Sequence, residues 1–135
     1  MSNEYNTAII EEFRANHGKL GGRWEGSKLV LVNTIGARSG QVRTIPLAYL
    51  QRDDRVYIVG SAAGSERHPA WYHNLVANPD ITWELGDEPI SGKASLLDGD
   101  ERASTWNDIV AALPFFGKYQ EQVSREIPVF ALIPR

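Results

Sequence analysis

Residues 29–50 read LVLVNTIGARSGQVRTIPLAYL. The opening L-V-L-V is a short, continuous apolar run rich in β-branched residues, which predicts a buried strand. Two glycines then frame a turn at residues 36–40, and residues 42–50 predict a second strand. Pro46 lies inside that second strand and cannot donate to a ladder, so it indicates a sheet edge or a bulge. The stretch therefore predicts a strand–turn–strand unit, and the rest of the chain can be placed around it.

The segments on either side of this unit predict a helix and a third strand. Apolar residues near helical spacing over residues 4–16 predict an amphipathic helix, and they are Tyr5, Ile9, Ile10 and Phe13. Glycines at positions 18, 21, 22 and 26 predict a loop after that helix. Residues 55–60 predict a third strand, which completes an antiparallel meander with the first two.

The following segment predicts a helix and a hairpin. Pro69 suits the first position of a helix, and Asn78-Pro79 is expected to end it. Residues 81–85 and 90–97 predict two strands that turn at Gly86-Asp87.

The C-terminal segment completes the predicted fold. Asp100 is expected to cap a helix, and the apolar residues that share a face of this helix are Trp106, Ile109, Val110 and Leu113. Residues 127–133 predict the last strand. Six mainly antiparallel strands with few helices predict an α+β fold, a β-barrel with flanking helices.

Composition limits the classes of function. A chain of 135 residues is expected to form one domain over residues 1–135. A net charge of −3 predicts no general affinity for nucleic acid, so any basic site is expected to be local. The absence of cysteine excludes disulfides, cysteine-bound zinc, iron–sulfur clusters and a thiol nucleophile.

The sequence predicts a soluble, cytoplasmic protein. No signal peptide is visible, and no apolar run approaches the roughly 20 residues of a membrane span, so no integral membrane segment is expected. The amphipathic N-terminal helix allows peripheral contact with a membrane, although Glu11 and Glu12 favour a helix that packs on the core.

Several common catalytic motifs are missing. The chain has neither the GxGxxG that follows a strand in Rossmann folds nor the GxxxxGK[ST] of P-loops. It has no HExxH, and its three histidines lack ligand-like spacing, so no metal site is predicted. G-S-A-A-G at residues 60–64 is not a GxSxG elbow. Hydrolytic and metal-dependent activities therefore have little support.

The turn at residues 36–40 is a candidate anion site. Its glycines allow successive backbone N–H groups to point into one concavity. Arg38 and Arg43 flank the turn, and no acidic residue lies between Glu25 and Asp53. Arginine matches phosphate and carboxylate oxygens in pairs. The alternative interpretation is an ordinary hairpin turn with solvated arginines.

Residues 68–74, H-P-A-W-Y-H-N, are the second candidate. On a helix Trp71 and Asn74 share a face, so the indole is able to wall a planar ring while the amide donates and accepts. The alternative is that Trp71 belongs to the core and Asn74 to the surface. The loop before this segment, residues 59–62, consists of small residues that let a planar ligand approach the backbone.

Residues 113–119, L-P-F-F-G-K-Y, are the third candidate. Leu113, Phe116 and Tyr119 are spaced three apart. This spacing is typical of a core stripe on a short helix, and it also suits an apolar lid over a second planar molecule.

Two motifs together resemble a known family. G-A-R-S-G-Q-V-R-T-I-P-L at residues 36–47, followed by H-P-A-W-Y-H-N-L and A-N-P within residues 68–79, resemble the F420-dependent deazaflavin nitroreductase family of actinobacteria. The resemblance extends over essentially the whole chain. It implies a split β-barrel that binds coenzyme F420 and uses F420H2 to deliver hydride from C5 to a small, planar, electron-poor acceptor such as a quinone, an enone or lactone, or a nitro compound.

The resemblance also implies roles for individual residues. Arg38, Ser39 and Arg43 match positions that hold the phosphate and acidic tail of F420. The full set of implied cofactor-binding residues is Ala37, Arg38, Ser39, Gly40, Arg43, Thr44, Ile45, Pro46, Leu47, Ala48, Val59, Gly60, Ser61, Ala62, Ala70, Trp71, Tyr72, His73, Asn74 and Phe116. The implied acceptor-binding residues are Leu113, Phe116 and Tyr119. Ser61 and Tyr119 are candidate catalytic hydrogen-bond donors to a developing oxyanion, a role that an ordered water would also fill.

Two departures from the family pattern concern the substrate. Members often carry lysine where Ala62 stands, so one contact to the cofactor is expected to be lost. The nitroimidazole-activating member has tyrosine at the position of Phe116, which favours quinones or enones over nitro compounds as acceptors here. A partner is expected only indirectly, an F420-reducing dehydrogenase that shares the cofactor.

Two alternatives remain open from the sequence. One is an FMN-dependent oxidoreductase on the same barrel. The other is a non-catalytic module that binds a flavin or haem, for which only tyrosine and histidine are plausible axial ligands in this chain.

Overall fold

The structure, a computed structural model, describes residues 4–21 and 28–135. The helices are α1 Glu4–Ala15, α2 Ala70–Ala77, α3 Gly99–Ala112 and α4 Phe115–Gln122. The strands are β1 Leu29–Ile35, β2 Val42–Ala48, β3 Leu50–Arg52, β4 Arg55–Val59, β5 Asp80–Glu84, β6 Pro89–Leu96 and β7 Val129–Pro134. The side chain of Tyr5 and the glycines at 22 and 26 in the predicted loop lie outside the described residues.

The seven strands form one antiparallel sheet in the order β2-β1-β5-β6-β7-β4-β3. Its two edge strands are consecutive in the chain, because β2 ends at Ala48 and β3 begins at Leu50. One residue spans at most about 3.6 Å, so Tyr49 brings the two edges together and the sheet curls on itself. The predicted α+β split barrel is confirmed.

The predicted second strand needs a correction. Residues 42–50 form two strands rather than one, and the sheet has seven strands rather than six. Tyr49 separates the two strands. On one side of it β2 pairs with β1, with Ala48 opposite Leu29, and on the other side β3 pairs with β4, with Leu50 opposite Tyr57. The expected meander is therefore split between the two ends of the sheet. The break results from closure of the barrel, because the chain leaves its partner β1 and joins its new partner β4 at this point.

Pro46 occupies the position that its chemistry requires. It lies opposite Leu31 in the ladder between β2 and β1, and β2 is an edge strand. The missing N–H therefore removes no bond from the middle of the sheet, and the predicted edge is confirmed.

The core lies inside the curled sheet. Val30 and Val32 of β1 pack there with Trp83 of β5 and with Phe130 and Leu132 of β7. On the opposite face of β1, Leu31 packs under α1 in a small cluster with Ile9, Phe13 and Leu20. The alternation along β1 thus separates the barrel interior from the face that α1 covers.

Two helix boundaries differ from the predictions. Asp98, rather than Asp100, is the N-cap of α3, and Asp100 lies in the first turn. Leu113 ends α3, and α4 is a separate helix that follows Pro114. Leu113, Phe116 and Tyr119 therefore do not form a stripe on one helix. Among the described residues, no helix is long and apolar enough to cross a membrane.

Candidate functional site

A large concavity follows β2. It has a volume of about 1650 Å³ and is lined by every residue of β2, by the turn before it, and by parts of α1, α2 and α4. Pockets for one small ligand measure roughly 300–1,000 Å³. The cavity is therefore large enough for a cofactor together with a second molecule.

The turn at the start of β2 presents free backbone donors. The N–H of Gly36 bonds to the carbonyl of Gln41 at 2.8 Å, and that of Gly40 bonds to the carbonyl of Gly36 at 2.9 Å. Gly40 has a φ of +72°, a conformation that glycine adopts without strain. The N–H groups of Arg38 and Ser39 bond to none of the described residues. Two consecutive free donors of this kind suit an anion.

Charge reinforces these donors. Arg38 and Arg43 are exposed at the cavity and form no ion pair with any described residue. Arg14 also lines the cavity, but its charge is committed to Glu84 at 2.8 Å, a contact that lowers the pKa of that carboxyl. No carboxylate is among the described residues that line the cavity. In a chain of net charge −3 this is a locally basic site.

Asn74 connects α2 to the turn. Its side-chain oxygen accepts the N–H of Ala37 at 3.0 Å, and its amide nitrogen donates to the hydroxyl of Thr34 at 3.3 Å. That hydroxyl in turn donates to the carbonyl of Arg43 at 2.9 Å. The amide of Asn74, which the sequence indicated as a ligand contact, is thus engaged by the protein. It fixes the turn that carries Arg38.

The other residues of α2 divide between core and cavity. Trp71 is buried, with its ring 5.9 Å from that of Phe130, and it also lines the cavity. The core interpretation of Trp71 is therefore confirmed, and its contact with a planar ring stays a prediction. Tyr72 stacks on His68 at 4.0 Å and lies outside the cavity lining. His73 is exposed at the cavity.

The loop after β4 is strained where it meets the cavity. Ala62 and Ala63 have φ values of +47° and +53°, which place two alanines in the left-handed region. Such residues cost roughly 1–3 kcal/mol each and persist only where the surroundings hold them. Ser61, Ala62 and Ala63 all line the cavity, so the strain lies at the site.

Helix α4 supplies an aromatic wall. Phe116 is buried, and its ring lies 4.4 Å from that of Phe115, which is 41% exposed. Both rings line the cavity together with Tyr119, whereas Leu113 does not. Sequence reasoning missed Phe115 because a spacing of three passes over it. It also missed the wall that α1 contributes through Asn6 and Ile10, for which the sequence gives no signal.

Most of the predicted site residues meet in this one cavity. Those that do not line it are Gly40, Gly60, Tyr72 and Leu113. Gly40 closes the turn and Gly60 packs against Pro128 and Trp71, so both act through backbone geometry.

Comparison with known proteins identifies the family of the chain. A family model described as F420H(2)-dependent quinone reductase matches residues 7–134. The chain belongs to this family. Membership makes the protein an F420H2-dependent oxidoreductase with coenzyme F420 as its cofactor, and it confirms the F420 dependence that the two sequence motifs predicted.

Individual relatives cover nearly the whole quinone reductase domain. An F420H(2)-dependent quinone reductase of Mycobacterium tuberculosis is 34% identical over 127 residues, which are 91% of this chain and 85% of the relative. A solved structure of an F420-H2 dependent reductase is 36% identical, with a TM-score of 0.73, over 78% of this chain and 94% of its own. Another, described as a domain-swapped dimer, is 34% identical, with a TM-score of 0.76, over 94% of this chain and 93% of its own.

The connection through Asn74 yields a prediction. Asn74→Ala should weaken F420 binding by about two- to tenfold, because the turn loses its anchor to α2 and a neutral hydrogen bond is worth about 0.5–1.5 kcal/mol. The matched control is Asn78→Ala, which removes a bond to the carbonyl of Ile35 just before the turn. Fluorescence titration should show a large loss only for Asn74→Ala. Equal losses in both variants would mean that the turn does not depend on Asn74.

Proposed function

We propose that F420 lies along β2, with its phosphate and acidic tail at the turn and its deazaflavin between β2, the strained loop and α2. The observation that carries this proposal is the locally basic turn, where two free N–H groups and two unpaired arginines stand beside a cavity without carboxylates. An anionic tail matches that chemistry, and the half-buried residues of β2 match a planar ring.

The protein's own groups bind and orient the reactants. When bound, reduced F420 supplies the hydride. The aromatic residues of α4 and the side chain of Ile10 form apolar walls that exclude water from the site. The strained loop presents backbone and hydroxyl groups beside β2.

Ser61 and Tyr119 are proposed to bind the oxygen of the acceptor. Both line the cavity, and neither hydroxyl bonds to any described residue. Ser61 is buried as a residue, but its hydroxyl, which has no hydrogen-bond partner among the described residues, keeps some exposed surface. This surface faces the cavity that Ser61 lines. Each hydroxyl is free to donate to a developing oxyanion.

The acceptor is proposed to be a quinone. Phe115, Phe116 and Tyr119 favour a planar, uncharged molecule, and Phe116 lacks the phenol that the nitroimidazole-activating relative carries. The reductase is further proposed to act in the cytoplasm, where an F420-reducing dehydrogenase regenerates the shared cofactor. Peripheral contact with a membrane would bring it to a lipid-soluble quinone.

Turnover with alternative reductants tests the reductase activity. The purified protein should reduce menadione with F420H2 and fail to do so with NADPH or FMNH2, because the chain lacks the Rossmann fingerprint and its cavity suits the F420 tail. Steady-state spectrophotometry of menadione reduction decides between the three reductants. Turnover with NADPH alone, without a response to F420H2, would overturn the proposal.

The basic turn generates a second prediction. Arg38→Ala and Arg43→Ala should each weaken F420 binding by about 10- to 100-fold, since each charge-assisted contact is worth about 1.5–3 kcal/mol. The loss should shrink at high salt, where exposed charges are screened. Arg55→Ala, which removes an arginine paired with Glu101 instead, is the control. Unchanged F420 affinity in both turn variants would mean that the turn is an ordinary hairpin turn with solvated arginines and does not bind F420.

The aromatic wall generates a third prediction. Phe115→Ala should raise the KM for a quinone about two- to tenfold and leave F420 affinity nearly unchanged. Phe115 is a better probe than Phe116, because truncating the buried Phe116 should also cost roughly 3–5 kcal/mol of stability. Leu96→Ala, at a 45% exposed site outside the cavity lining, is the control. A loss of F420 affinity without a change in quinone KM would place Phe115 on the cofactor side.

A further inference from the structure

A single arginine outside the cavity holds the strained loop at three points. Arg125 lies between α4 and β7. Its Nη2 donates to the carbonyl of Ser61 at 3.0 Å and its Nε donates to the carbonyl of Ser65 at 3.0 Å. Its Nη1 lies 3.0 Å from Nδ1 of His68. These contacts extend along the loop from Ser61 to His68.

The contact with His68 fixes the state of the imidazole. A guanidinium only donates hydrogen bonds, so Nδ1 must be the unprotonated nitrogen and His68 must be neutral. Burial lowers the pKa of His68, and the charges of Arg125 and His73 lower it further. The three-point contact is therefore complete at neutral pH.

Further contacts connect the loop to the same segment of chain. The carboxylate of Glu66 accepts the N–H of Ser124 at 2.9 Å and also its hydroxyl. Gly64, at a φ of +82°, packs so closely on α4 that a Cβ would lie 3.3 Å from the ring of Tyr119. The loop thus rests on the α4–β7 connection along its whole length.

The loop needs such support because it contains Ala62 and Ala63 in the left-handed region. It has three internal bonds among the described residues. The N–H of Gly64 donates to the carbonyl of Ser61 at 2.9 Å, that of Ser65 to the carbonyl of Ala62 at 3.1 Å, and that of Arg67 to the hydroxyl of Ser65 at 3.2 Å. Without an outside anchor, the alanines would relax toward negative φ and move Ser61 and Ala62 at the cavity.

We propose that Arg125 is a positioning residue, which holds the strained loop in the conformation that receives the cofactor. The guanidinium does not line the cavity, so it acts through the loop rather than by touching a ligand. This inference rests on the proposed placement of F420 beside residues 59–62.

A double-mutant cycle tests the inference. Arg125→Ala should weaken F420 binding by about tenfold or more, as expected for the loss of charge-assisted hydrogen bonds. Ala63→Gly alone is the second single variant of the cycle. Glycine adopts a positive φ without strain, so the backbone at this position no longer needs an outside anchor. Combined with Arg125→Ala, Ala63→Gly should restore most of the lost affinity. Because relief of this strain also stabilises the fold, the thermal midpoint of each variant is measured together with its affinity.

Two further variants separate positioning from folding. Arg125→Lys keeps the charge but not the three-point fork, so its affinity should fall between those of the wild type and Arg125→Ala. Arg102 is the matched control, because it donates to the carbonyl of Ile127 nearby and does not touch the loop. Arg102→Ala should lower the thermal midpoint of unfolding. The addition of Ala63→Gly to Arg102→Ala should not raise F420 affinity.

Hydrogen exchange in the cofactor-free protein provides the second readout. The amides of Gly64 and Ser65 should exchange faster in Arg125→Ala and slow again when Ala63→Gly is added. Unchanged exchange would overturn the role of Arg125. Faster exchange with unchanged F420 affinity would also overturn it, and would show that the loop does not receive the cofactor. The proposed placement of F420 is tested separately, because Arg38→Ala and Arg43→Ala should lose F420 affinity whether or not Arg125 positions the loop.

Discussion

The closure of the sheet at Tyr49 is the constraint on which the site depends. Because Leu50 pairs with Tyr57, extending the same antiparallel register by two residues brings Val59 opposite Ala48. The strained loop that follows Val59 therefore arrives beside β2, although β2 and β4 belong to opposite halves of the sheet order. Closure leaves β2 paired on one side with β1 and open on the other. That open side becomes the floor of the cavity.

The chemistry of the cavity is graded along this floor. Its start is basic, with free N–H groups and unpaired arginines, and its far side is apolar, with the aromatic residues of α4. Attraction of an anionic tail at one end and desolvation of a planar ring at the other are different physical tasks. Each task therefore relies on its own support, from Asn74 at the turn and from the α4–β7 connection at the loop.

Local patterns were sufficient to predict most of the helices and strands and the two motifs, because period, turn residues and helix limits are properties of short segments. Contacts between distant segments were not predictable in this way. Tyr49 gives no signal of a break, since the change of strand partner is decided by closure. The side-chain amide of Asn74 accepts a hydrogen bond from the turn 37 residues before it. Arg125 donates to a carbonyl of the loop about 60 residues before it. The spacing of Leu113 fits the aromatic wall, but a new helix follows Pro114, and Leu113 lies half-buried against the core instead.

The central claim is that the basic turn holds the anionic tail of F420, and one titration tests it most directly. The affinity of the unmodified protein for F420 is compared with its affinity for the same deazaflavin without the phosphate and acidic tail. F420 should bind at least about tenfold more tightly at low salt, and the difference in affinity should narrow as salt is raised. Equal affinity for the two molecules at low salt would contradict the claim.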